Sequence, residues 1–108
     1  MGRYPADFSQ AGIVHTGDDT ATPSKDEFSR AMGVALQRLR RDKGISQERL
    51  AHMAGISAYT YQKFEKGESK PGTPMNPRLF TLLALAEALD VTLADIVPTS
   101  WPDLTEGS

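Results

Sequence analysis

Apolar residues recur with helical spacing along the middle of the chain. After Ser24, apolar side chains follow at i, i+4, i+7, i+8 and i+11, and Glu27 stands three residues beyond the serine. Serine and glutamate at this spacing form a capping box, because each side chain can satisfy a backbone N–H of the other residue. Gly44 offers the left-handed conformation that ends a helix, so the pattern predicts a helix over residues 25–43. Its apolar stripe consists of Phe28, Met32, Ala35, Leu36 and Leu39.

Two short helices are predicted next, with a tight turn between them. Ser46 and Ser57 are good N-cap residues, and Gly55 lies between the two segments that they open. The predicted helices span about residues 47–54 and 58–66. Their inward side chains are Leu50, Ala51, Ala54, Tyr61 and Phe64.

The rest of the chain predicts a loop and two further helices. Glycine and prolines make residues 68–75 a poor helix former, and Asn76 followed by Pro77 is typical of a helix start. A final turn from Thr92 is stopped by Pro98. The buried stripe of the fourth helix is expected on Leu79, Leu82, Leu83, Ala86 and Leu89. No segment alternates with a period of two, so we expect an all-α fold of five helices without a sheet.

Length and composition bound the organisation of the chain. A sequence of 108 residues with 39% hydrophobic residues can form one modest core. Residues 1–23 mix glycine, proline and polar residues without period, and we expect a flexible arm there. The predicted domain covers residues 24–98, and residues 99–108 form a short tail.

Charge is distributed unevenly along the chain. The net charge is -2, but the segment from Lys25 to Lys70 carries ten basic and six acidic residues, a local excess of +4. A basic face with acidic flanks is therefore available for an anionic partner. The chain has no cysteine, which excludes disulfides and thiolate zinc sites, and it shows neither a membrane span nor a secretion signal. We expect a cytoplasmic protein.

One constellation of residues carries a specific resemblance. Gly44-Ile45-Ser46-Gln47-Glu48-Arg49-Leu50-Ala51 is followed by Ala54-Gly55-Ile56-Ser57 and then by Phe64-Glu65-Lys66-Gly67. Over about residues 26–97 the chain resembles the lambda-repressor-like, Cro and xenobiotic-response-element family of helix-turn-helix regulators. The resemblance implies a compact lambda-repressor-like domain and sequence-specific binding of double-stranded DNA. The loop at 68–75 is longer than the family usually has.

The outward face of the third helix is polar, basic and aromatic, which suits the major groove. Lys63 can donate to guanine, Ala58 can pack on a thymine methyl, and Tyr59 can make an apolar or a hydroxyl contact. With the resemblance, this predicts base contacts from Ser57, Ala58, Tyr59, Thr60, Gln62 and Lys63. Phosphate contacts are expected from Gln47, Lys66, Lys70 and Arg38, although solvated charge explains the three basic residues equally well.

Glu65 falls on the buried side of the third helix, where an unpaired carboxylate would be costly. It therefore needs a cation nearby. Members of the family that match at both positions pair it with the arginine of the first helix. The resemblance thus implies a structural ion pair between Arg40 and Glu65.

Other functions are weighed against DNA binding. The sequence shows no nucleophile paired with a base, no phosphate-binding loop and no spacing typical of metal ligands, and His15 and His52 lie far apart. We therefore expect no enzymatic activity, no bound metal and no cofactor. The rival hypothesis is a protein-interaction module, such as the antitoxin of a toxin–antitoxin pair, docking through the N-terminal arm or the tail with Trp101. One recognition helix discriminates few base pairs, and the resemblance implies that two copies bind a palindromic operator together. We therefore expect a homodimer that acts as a repressor. Phe80, Val97 and Trp101 are its candidate interface residues.

Overall fold

The structure, a computed structural model, describes residues 22–105. It confirms the all-α class, with five helices and one short hairpin. The elements are α1 Lys25–Lys43, α2 Gln47–Ala54, α3 Ala58–Lys66, β1 Glu68–Lys70, β2 Thr73–Pro74, α4 Leu79–Leu89 and α5 Leu93–Ile96. Most of the predicted arm and the last three residues of the tail lie outside the described residues. None of the helices within 22–105 combines the length and apolar character needed to cross a bilayer.

The first three helices begin and end where the sequence predicts. Ser24 Oγ accepts from Glu27 N at 3.0 Å, and Ser24 N donates to Glu27 Oε1 at 2.8 Å, so the capping box is confirmed. Ser46 and Ser57 cap α2 and α3 in the same manner, each accepting a backbone N–H at 3.0 Å. These caps fix the entry of each helix into the core.

One core holds the helices together. Its largest fully buried side chains come from all five helices, so no helix packs separately from the rest. They are Leu36, Leu50, Tyr61, Leu85 and Ile96. The inward positions predicted for α2 and α3 are confirmed, because Leu50, Ala51, Tyr61 and Phe64 are all buried.

α1 and α3 meet at a glycine that the apolar pattern does not identify. A Cβ atom added to Gly33 would lie 2.4 Å from the carbonyl oxygen of Glu65 and 2.6 Å from that of Phe64. Only a residue without a side chain permits this backbone approach. This close packing sets the distance between α3 and α1 at Gly33.

The expectation that the fold contains no sheet is wrong. Residues predicted to form a loop pair as an antiparallel hairpin, with Glu68 opposite Pro74 and Lys70 opposite Thr73. Two strands of three and two residues are too short to show an alternating pattern. Ser29 Oγ donates to the carbonyl of Met75 at 2.7 Å, which ties the end of the hairpin to α1.

The start and the buried face of α4 also differ from the prediction. The helix begins at Leu79 rather than at Pro77, and its N-cap is Arg78. Three of the five residues predicted for the buried stripe do pack in the core, namely Leu82, Ala86 and Leu89. Leu79 and Leu83 are instead 59% and 42% exposed, whereas Leu85 is completely buried. The apolar residues of α4 lie on most of its faces, so their periodicity does not identify the face that packs against the core.

Candidate nucleic-acid interface

α2 and α3 form a compact pair of helices joined by a sharp turn. Gly55 ends α2 in the left-handed conformation with φ of 77°, and Ser57 caps α3 two residues later. Ala51 is almost fully buried, so α2 approaches its neighbours closely at this residue. Two short helices with a glycine-containing turn have the arrangement of a helix-turn-helix.

α3 separates its residues into an inner and an outer face. Tyr61 and Phe64 are buried, while Gln62 and Lys66 are exposed. Tyr59 is 69% exposed on the same outer side of the helix. The outer face therefore presents aromatic, amide and ammonium groups together.

This outer face forms one wall of an open groove of about 530 Å³. The other walls come from α1, the start of α2 and the hairpin. The lining residues are Gln37, Gln47, Tyr59, Gln62, Lys63, Glu65, Lys66, Glu68, Ser69, Lys70 and Pro71. Six of the ten residues expected to contact DNA are thus brought together, and Arg38 is not among them.

The first turn of α3 is ordered by its own cap. Ser57 Oγ accepts from Thr60 N and donates to Thr60 Oγ1, both at 3.0 Å. Ala58 packs partly against the core, which limits the surface that it can offer to a ligand. Ser57 and Thr60 stand at the end of α3 where backbone N–H groups point outward.

A saturated carboxylate lies beneath the groove. Glu65, whose side chain is only 4% exposed, accepts from Arg40 Nε at 2.6 Å and Arg40 Nη2 at 3.2 Å. It also accepts from Gln47 Nε2 at 2.8 Å and from Tyr61 Oη at 2.5 Å. Arg40 Nη1 donates further to the carbonyl of Ile45 at 2.9 Å. The cluster links side chains of α1, α2 and α3.

The charges in this cluster stabilise one another. Burial alone would raise the pKa of Glu65, but hydrogen bonds from Arg40, Tyr61 and Gln47 outweigh it and the pKa is lowered. The hydrogen bond to Glu65 raises the pKa of Arg40, although burial opposes the shift. Burial, followed by the bond to Glu65, raises the pKa of Tyr61 far above its ordinary value. The carboxylate stays ionised and the phenol stays a donor.

The described residues offer little to a metal. Between residues 22 and 105 no group of three or more histidine, cysteine or acidic side chains is arranged to hold an ion. His52 is exposed on α2, and His15 lies outside the described residues.

Sequence reasoning missed several residues of the groove. Gln37 is one of them, although it stands three residues before Arg40 and so on the same face of α1. Ser69 and Pro71 enter the groove because the hairpin folds back beside α3. The bond from Gln47 to Glu65 adds a structural contact to the phosphate contact that the sequence predicts for Gln47.

The fold and the groove together define a helix-turn-helix DNA-binding domain. The model of the Cro/C1-type helix-turn-helix DNA-binding domain matches residues 35–100. The chain belongs to this family, which is a family of DNA-binding domains and not a class of enzymes.

Similar proteins, found by sequence and by structure, agree with this assignment. The chain is 32% identical to the uncharacterized HTH-type transcriptional regulator y4dJ of Sinorhizobium fredii over 66% of this chain and 84% of that protein. The restriction-modification controller protein C.AhdI from Aeromonas hydrophila is 33% identical with a TM-score of 0.55, over 62% of this chain and 92% of that one. The P22 c2 repressor, solved with a synthetic operator, is 27% identical with a TM-score of 0.53, over 61% and 91% of the two chains.

Proposed function

We propose that this chain is a homodimeric repressor that recognises a double-stranded DNA operator with α3. The observation that carries the proposal is the outer face of α3, where Tyr59, Gln62 and Lys63 line one groove while the opposite face is buried. An α-helix of this kind fits the width of the major groove, and its exposed side chains reach the base edges.

The contacts divide into two kinds. Side chains in the first turns of α3 read bases, and basic or amide groups around them bind phosphates. The base-reading residues are Ser57, Ala58, Tyr59, Thr60, Gln62 and Lys63. The phosphate contacts come from Gln47, Lys66, Lys70 and Arg38. Lys66 and Lys70 line the same groove as Tyr59, Gln62 and Lys63, which supports their assignment to the DNA backbone.

Arg40 and Glu65 have a structural role in this proposal. Their side chains lie beneath the groove and are satisfied by each other, by Tyr61 and by Gln47. The bond to Gln47 leaves its second amide N–H available for a phosphate at the start of α2, where the helix dipole favours an anion. Arg40 and Glu65 therefore support the contact surface without touching DNA themselves.

Repression and dimerisation are the finer parts of the proposal. The P22 c2 repressor, solved on an operator, supports the first. The second is supported by exposed apolar side chains away from the groove, above all Phe80, which is 81% exposed, and Trp101. A dimer would place two copies of α3 on half-sites about one helical turn, roughly 34 Å, apart. Binding to chromosomal DNA implies a cytoplasmic location.

A mobility shift with bulk duplex DNA at low and raised salt tests the function. Binding through phosphates should weaken steeply as salt rises, because condensed counterions are released on binding. Lys66→Ala should weaken binding, whereas Lys25→Ala, at the start of α1 and outside the groove, serves as the matched control. A chain that serves only as a protein-interaction module would not bind duplex at either salt concentration.

Selection from random duplexes then gives the operator. The proposal expects an enriched palindromic sequence, and sedimentation should find two chains on each operator. One chain on each operator would contradict the dimer while leaving the reading helix in place.

A further inference from the structure

Tyr59 and Lys63 form a coupled pair on the outer face of α3. The ammonium nitrogen of Lys63 lies 4.4 Å from the centroid of the Tyr59 ring. Their spacing of four residues places both on one side of the helix. A cation over a ring face is attracted by the ring's electron density, so the contact restricts the long lysine side chain. In keeping with this, Lys63 is half-buried although it lies on the outer face.

The pair presents two different contact groups at a short, fixed separation. The ammonium of Lys63 has three N–H groups, and those that point away from the ring are free to meet acceptors. Tyr59 is 69% exposed, so its edge and the face not covered by Lys63 remain open. An ammonium donor and an apolar ring thus lie side by side, with 4.4 Å between the Lys63 nitrogen and the centroid of the Tyr59 ring. Groups this close together can reach only the same or neighbouring base pairs, because successive base pairs are stacked about 3.4 Å apart.

The major groove offers a matching pair of groups. Guanine presents O6 and N7 as two neighbouring acceptors, and thymine presents a methyl group that favours apolar contact. We propose that Tyr59 and Lys63 together read two adjacent base pairs, with guanine bound by Lys63 and the thymine methyl contacted by Tyr59. This inference rests on the proposed function, since it requires α3 to lie in the major groove.

The contact with the ring also biases what Lys63 reads. A lysine free in solvent can swing to the nearest phosphate, because its four-carbon stem is flexible. Lys63 is held instead over a residue in the first turn of α3, the part of a reading helix nearest the bases. Tyr59 is therefore both a contact residue and the positioning residue of Lys63.

The test uses the full chain on the selected operator and on single-base variants of it. The selected half-site should contain a guanine and a thymine on adjacent base pairs. Replacing that G·C pair by A·T should weaken binding of the parent by roughly 5- to 150-fold. Replacing thymine by uracil, which removes only the methyl group, should weaken it by about 4-fold.

Three variants separate the two contacts from the coupling between them. Lys63→Ala should lose the guanine preference and keep the preference for thymine over uracil. Tyr59→Phe retains the ring and should keep both preferences. Tyr59→Leu retains an apolar side chain but not the ring, so it should lower the guanine preference by about 2- to 5-fold, the loss expected for an exposed cation–π contact.

The outcomes distinguish this inference from the proposed function. A Tyr59→Leu variant that discriminates guanine as well as the parent would show that the two residues act independently. A selected half-site without adjacent guanine and thymine would overturn the inference as well, with DNA recognition by α3 intact. If Tyr59→Leu and Lys63→Ala both bind the operator with the affinity of the parent, the inference and the proposed function both fail.

Discussion

The Nε atom of Arg40 lies 2.6 Å from Oε2 of Glu65, and this contact joins the first helix to the third. Gln47 and Tyr61 complete the set of donors around the same carboxylate. Because the carboxylate is shielded from water, its charge depends on these partners rather than on solvent. The position of α3, and with it the candidate reading surface, therefore depends on one buried acidic group.

Removing the arginine should destabilise the fold. Arg40→Met leaves Glu65 as an uncompensated buried charge, and the free energy of unfolding should fall by about 3 to 5 kcal/mol. Denaturant unfolding of the DNA-free protein measures this. Arg41→Met, one residue further and exposed, is the matched control and should change stability little. If Arg40→Met kept its melting temperature and lost DNA binding, Arg40 would be a contact residue.

The same carboxylate should make stability depend on acid pH. The pKa of Glu65 is lowered in the folded protein, so its contribution is complete above the ordinary glutamate pKa of about 4.3. The contribution is lost as the pH falls through the lower folded value, because the unfolded chain then binds more protons. Glu65→Gln should flatten the fall in melting temperature below about pH 5, and Glu87→Gln, an exposed position on α4, is the control. Equal pH profiles for the two variants would refute a depressed pKa at Glu65.

Gly33 supplies a stability test that does not involve charge. Alanine is favoured over glycine within a helix by about 1 kcal/mol, so Gly33→Ala would stabilise an isolated α1. In the fold the added methyl meets two carbonyl oxygens of α3, and we expect a net loss of roughly 1 to 3 kcal/mol. Val34→Ala, at the exposed neighbouring position, is the control in thermal unfolding. A Gly33→Ala variant at least as stable as the parent would contradict the close approach of α1 and α3.

The elements that the sequence predicts correctly are those whose signals are local. Ser24 and Ser57 predict helix starts correctly because an N-cap serine bonds to the backbone N–H only three residues later. The hairpin from Glu68 to Pro74 gives no such signal, because its strands are too short to alternate and its attachment to α1 depends on the distant bond from Ser29 to the carbonyl of Met75. The burial of Leu85 in place of Leu83 was missed for a similar reason, since only the surrounding helices choose the face of α4 that packs.

The groove also combines residues that local sequence patterns predict with residues that they do not. The outer residues of α3 follow from a helical wheel once Tyr61 and Phe64 are placed inside. Their neighbours Gln37 and Ser69 come from other elements, and no pattern along the chain relates them to α3. The contact between Lys63 and Tyr59 depends on side-chain conformation, which spacing permits but does not determine.

A phosphate contact and a base contact should respond differently to salt and sequence. Lys66→Ala should weaken specific and non-specific duplexes alike and lower the slope of log affinity against log salt by about one unit. The reason is that one fewer counterion is released when one phosphate contact is lost. Mobility shifts at several salt concentrations measure the slope. An unchanged slope, or a loss confined to one base position, would contradict the phosphate assignment of Lys66.

The most direct test of the account is the affinity of Tyr59→Ala and Lys63→Ala for the selected operator. Both side chains point away from the core, so each variant should keep the parent's circular dichroism spectrum and melting temperature. Lys63→Ala should lose about 1 to 3 kcal/mol of operator binding and relax the preference at one base position, and Tyr59→Ala should lose operator affinity too. Should both folded variants bind the operator as tightly as the parent does, α3 is not the reading helix and the central claim is wrong.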